Sequence, residues 1–82
     1  AGAEIGRNCI INSLSLVEQD VVVADHCHIS TGATVNSGVR IGTGSFIGSN
    51  SSIKQGVNIG EGCIIGMGQQ VLFDCEGGAL MR

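Results

Sequence analysis

Two histidines, His26 and His28, are the side chains of this 82-residue sequence that ordinarily titrate near neutrality, where a general base or acid has to work. His28 opens the segment His28-Ile29-Ser30-Thr31-Gly32-Ala33, and His26 lies two residues before it. Four cysteines, Cys9, Cys27, Cys63 and Cys75, add nucleophilic or metal-binding capacity. They admit three readings: small buried thiols, a disulfide between Cys9 and Cys27, or a zinc site. No Cys-x-x-Cys and no Cys/His pair at ligand spacing supports the zinc reading, so no metal is expected. Gly42-x-Gly44 and Gly60-x-Gly62 lack the strand, loop and helix context that makes such spacing a phosphate cradle. Fixed cations are few, Arg7, Arg40, Lys54 and Arg82, against a net charge of −3. Without a basic stripe or aromatic platforms, nucleic acid is not an expected partner. No apolar run reaches the roughly 18 residues of a membrane span, so no membrane partner is expected either.

The elements that would position these residues follow from an internal repeat of six. From Ile5 to Val71, every sixth residue is Ile or Val: Ile5, Ile11, Val17, Val23, Ile29, Val35, Ile41, Ile47, Ile53, Ile59, Ile65 and Val71. All are β-branched, which favours strand, and a period of six fits no amphipathic helix. The fourth position of each hexad is Gly, Asn or Asp except at Leu14 and His26, so a corner with positive φ is predicted there. The fifth position is mostly small and holds all four cysteines: Cys9, Cys27, Cys63 and Cys75. That favours thiols as core filler beside the aliphatic column, and unpaired thiols fit a reducing, cytoplasmic location.

Repeats such as Ile41-Gly42-Thr43-Gly44-Ser45-Phe46 and Ile59-Gly60-Glu61-Gly62-Cys63-Ile64 resemble those of the hexapeptide-repeat acyltransferases. The resemblance implies an all-β domain, a single-stranded left-handed parallel β-helix of about four triangular coils with three hexapeptides each. One domain over residues 1–82 is expected, with coils 5–22, 23–40, 41–58 and 59–76 and a tail 77–82. Sixth positions then stack into an outward stripe, Ile10, His28, Phe46 and Ile64, assigned to the first face. A stacked apolar stripe points to self-association, and the family resemblance implies a homotrimer with sites between subunits.

Residues 11–33 are most similar to sugar O- and N-acetyltransferases of the sialic-acid and bacillosamine type. Asn12 matches their early Asn, Val17-Glu18-Gln19-Asp20 their acidic run, and His28-Ile29-Ser30-Thr31-Gly32-Ala33 their later segment. The resemblance implies Asn12, Gln19, Asp20 and His28 as catalytic positions, with acetyl-CoA as acyl donor. Gln19 stands where those enzymes carry the catalytic histidine. A carboxamide cannot accept the proton that such a histidine takes. Asp20 reads either as the partner of that lost histidine or as a corner residue, and His28 remains as a candidate base. Ser37 keeps a backbone N–H where a thioester oxygen contact is implied. Arg40 and Lys54, placed near each other on the third face, are candidates for the cofactor's phosphates. The expected function is acetyl-CoA-dependent transfer to an amino or hydroxyl group of a sugar-type, small-molecule acceptor. The alternative is a catalytically silent trimeric β-helix, a scaffold or ligand-binding remnant.

Overall fold

A computed structural model describes residues 2–82. Every strand is two residues long: β1 Glu4–Ile5, β2 Ile10–Ile11, β3 Leu16–Val17, β4 Val22–Val23, β5 His28–Ile29, β6 Thr34–Val35, β7 Arg40–Ile41, β8 Phe46–Ile47, β9 Ser52–Ile53, β10 Asn58–Ile59, β11 Ile64–Ile65, β12 Gln70–Val71 and β13 Leu80–Met81. They form three parallel sheets, ordered β1-β4-β7-β10, β2-β5-β8-β11-β13 and β3-β6-β9-β12. Each coil stacks on the next with Ile or Val over Ile or Val, as in Ile5↔Val23 and Ile29↔Ile47. The result is a parallel β-solenoid of about four turns, with no helix among the described residues, as the repeat and the resemblance lead one to expect.

The β-branched column builds the core. Ile29, Val35, Ile47, Ile53, Ile65 and Val71 are fully buried. Ile5 and Ile11 carry the same pattern but are 44% and 41% exposed, because they lie in the first coil and have a neighbouring coil on one side. Between strands the chain turns through left-handed backbone at Asn8, Leu14, Asp20, His26 and Asn50, and at glycines such as Gly32 and Gly44. The geometry therefore includes both exceptions to the corner composition. His26 is an exposed corner residue. Leu14 holds φ 62° while 88% exposed. An L side chain there costs about 1–2 kcal/mol, so Leu14→Asn should raise stability by about 1 kcal/mol. Thermal melting should then shift upward by roughly 4–8 °C.

Three expectations are corrected by the strand register. Each strand pairs a sixth-position residue with the following first-position residue, so the outward stripe belongs to the second sheet, not the first face. Ile10, His28, Phe46 and Ile64 do stack there, and Leu80 extends the column. By the same register Arg40 lies on β7 of the first sheet, whereas Lys54 follows β9 of the third.

The third correction concerns the C-terminal coil. By periodicity Cys75 is a fifth-position residue and 77–82 a tail. Instead Cys75 bridges Ile59, and Leu80–Met81 pairs with Ile64–Ile65, each two residues ahead of the regular step. The hexad beginning at Val71 is cut to four residues. Asp74 does not take left-handed backbone, and its carboxylate accepts the Asn58 N–H at 2.8 Å. Cys75 takes a first-position slot, Gly78 becomes the left-handed corner at φ 78°, and the segment after residue 76 joins the solenoid.

The thiols are free, and Cys9, Cys27 and Cys63, which share one column at the fifth position of their hexads, each donate to a carbonyl of the adjacent coil. Cys9 Sγ donates to Ala24 O at 3.1 Å, Cys27 to Gly42 O at 3.1 Å and Cys63 to Glu76 O at 3.0 Å. Ser45, in the same column, donates to Gly60 O at 2.8 Å. Burial pushes the Cys27 thiol up, with Cys9 and Asp25 adding to the effect, against smaller lowering by the Ser45 and Gly44 N–H groups. Cys75 is also raised, chiefly by burial. Such thiols are poor nucleophiles. A group with a raised folded pKa keeps its full stabilising contribution below its unfolded value and loses it as pH rises through the folded one. Urea midpoints should therefore hold up to the ordinary thiol value of 9.0 and fall above it, while Cys27 resists iodoacetamide until the chain unfolds.

Candidate active site

The residues singled out by sequence fall into two groups on different sheets. The first joins β2 and β5. Asn12 directly follows β2, and its backbone N–H donates to Ile29 O at 2.9 Å, which fixes the start of its side chain against the neighbouring coil. The Asn12 carboxamide nitrogen lies 3.2 Å from His28 Nε2. With the amide donating, Nε2 contributes its lone pair and the ring proton sits on Nδ1. His28 is half-buried between Ile10 and Phe46 in the sheet register. The Phe46 ring meets it edge-on, with centroids 5.1 Å apart and planes at 67°.

The second group sits where β3 and β6 end, at one corner of consecutive coils. Ser37 Oγ donates to Glu18 Oε1 at 3.3 Å, and Gly38 N–H donates to Gln19 O at 3.2 Å. Val17, Glu18, Gln19 and Ser37 line an open depression of roughly 450 Å³. The depression offers an acid, a carboxamide and a hydroxyl over an aliphatic floor. It can bind and orient a polar molecule, and Gln19 can both donate and accept hydrogen bonds.

Asp20 lies beside this group but adopts left-handed corner backbone at φ 60° and does not line the depression. Arg40 and Lys54 are exposed and do not line it either. Lys54 nevertheless belongs to the same column of corners, where Gly56 N–H donates to Ser37 O at 3.0 Å. Glu18 stands in the acidic run read from the sequence, but its contact with Ser37 does not show in that run. It meets Ser37 because residues about 18 apart stack, a spacing the repeat contains but the acidic run alone does not.

Residues 2–37 match the family described as bacterial transferase hexapeptide (six repeats), and residues 38–71 match the hexapeptide repeat of succinyl-transferase. Among solved structures, the acetyltransferase domain of PglB from Neisseria gonorrhoeae FA1090 is similar in fold, with a TM-score of 0.83 and 24% identity. The match covers 95% of this chain and 50% of that one, so the chain spans half the length of the structure it resembles. No curated protein matches the sequence.

Proposed function

This chain belongs to the hexapeptide-repeat family, and on that premise we propose that it is the core of an acyltransferase that takes its acyl group from acetyl-CoA. The acceptor is a small sugar-type molecule presenting an amino or hydroxyl group. The observation that carries this reading is the corner depression built by Glu18, Gln19 and Ser37 on a transferase-type solenoid. There the Ser37 N–H serves the thioester oxygen as charge develops on it. Gln19 holds the acceptor by hydrogen bonding, and Lys54, in the same column of corners, offers charge to the donor's phosphates, with Arg40 beyond the corner. In a homotrimer packed through the apolar stripe, one subunit's Asn12–His28 pair faces the neighbour's depression. That juxtaposition reunites the two groups that a single chain holds apart. Free, hydrogen-bonded thiols accord with a cytoplasmic setting.

Titration with acetyl-CoA, coupled to CoA release, tests the reading. Binding by the wild-type chain is the expected outcome, and absence of binding by both wild type and Gln19→His would sink it. Gln19 itself favours a second reading, a ligand-binding scaffold without turnover, because a carboxamide has no proton-accepting role. Binding without CoA release from any acceptor, restored by Gln19→His, would establish that second reading.

A further inference from the structure

The chemistry of the depression restricts the nucleophile. Resting on the acyl-transfer reading, we infer that this site acylates amines and not hydroxyls. Its polar side chains are Glu18, Gln19 and Ser37. Gln19 cannot take up a proton, and Ser37 already donates its hydroxyl proton to Glu18. That bond occupies one carboxylate oxygen, and a carboxylate is in any case a far weaker base than an imidazole. His28 is engaged as well, since Asn12 Nδ2 approaches its Nε2 lone pair at 3.2 Å and leaves an Nδ1–H that donates.

An unprotonated amine reacts in such a site without an enzymatic base. Its lone pair forms the N–C bond to the thioester carbonyl while the carbonyl π pair moves to oxygen. Collapse of that oxyanion breaks the C–S bond, and the departing thiolate takes the ammonium proton, giving an amide and free CoA. Gln19 Oε1 accepts one N–H of the incoming amine and aligns its lone pair. An alcohol has no such route, because its proton must leave as the C–O bond forms and needs a base at that moment.

Matched acceptors test this: glucosamine and glucose at equal high concentration, with acetyl-CoA and the full chain, products identified by mass. N-acetyl product is expected, with kcat/KM rising tenfold per pH unit up to the pKa of the amine and then levelling. O-acetyl product at less than about a hundredth of that rate is expected, since general-base catalysis is worth roughly 10²–10⁴-fold. Gln19→His should raise hydroxyl transfer by on the order of 10²-fold. Comparable O- and N-acetylation by the wild type would overturn the inference, as would acetyl-CoA binding with no transfer to amine. Failure to bind acetyl-CoA at all would overturn the underlying reading instead, and the two failures are read from different measurements.

Discussion

Phe46→Asp should convert the proposed trimer into monomers with an intact solenoid, and the proposed acyl transfer should disappear with the assembly. Phe46 sits at the centre of the outward column Ile10, His28, Phe46, Ile64 and Leu80. Single exposed aliphatics are ordinary on protein surfaces. Here Ile10 is 51% exposed, Ile64 49% and Leu80 53%, all stacked in register, so the apolar strip runs about 19 Å along the solenoid. Covering one such side chain contributes up to about 1.5–3 kcal/mol, and packing each strip against a neighbouring subunit would supply the driving force for the proposed trimer. An aspartate in the middle would be desolvated without a partner, at a cost of several kcal/mol. The coil itself should survive, because the core residue next in chain, Ile47, is 0% exposed and keeps its place.

Phe46 also touches the His28 ring, so loss of activity in Phe46→Asp alone has two possible causes. Ile64→Asp separates them. Ile64 pairs with Phe46 and lies one coil beyond it, away from His28, yet belongs to the same strip. Monomer mass by light scattering and loss of CoA release in both variants, with unchanged circular dichroism, is the expected result. Phe46→Leu should keep both the trimer and the activity. An unchanged mass in both aspartate variants would remove the strip as the interface.

The solenoid was legible in the sequence because one physical demand, a β-branched residue facing a narrow core, recurs at every turn. The same letters could not reveal where that demand lapses. Ile5 and Ile11 match the column perfectly and are still half-exposed, since burial depends on a coil stacked on each side. Nor did composition betray the shortened hexad. Asp74 is an acceptable corner residue and Cys75 an acceptable small one, so the period continues on paper to residue 76, while the chain turns two residues early. Leu72 and Phe73, 50% and 80% exposed at that turn, are the visible trace of the cut. Within the site, the pairing of Asn12 with His28 follows from residues one coil apart meeting. Separation of that pair from Gln19 and Ser37 depends on where the corners fall, because one side of the triangle divides them. Asn12 and His28 thus form one group, and Gln19 and Ser37 another.

The tightness that makes these coils stack also gives the largest expected loss of stability, at Gly48. Its backbone passes so close to the next coil that an added Cβ would stand 2.5 Å from Gly66 C and 2.6 Å from Met67 N. Both are backbone atoms, so no side-chain rotation can relieve the clash, and the coils must separate locally. Ser30 N–H to Ile47 O at 2.9 Å and Gly48 N–H to Ile65 O at 2.7 Å would be strained together, along with the Ser51 hydroxyl bond to Gly66 O at 2.7 Å. Overpacking of this kind costs about 3 kcal/mol, a large share of what an 82-residue domain possesses. Gly44 is the contrast. It needs left-handed backbone at φ 73° but has open space where a Cβ would go, and Asn8 and Asn50 fill equivalent corners. Gly48→Ala should therefore lower the melting temperature by more than about 10 °C, and Gly44→Asn should change it by a few degrees at most. If the two variants melted alike, close backbone approach between coils would not be what limits this solenoid.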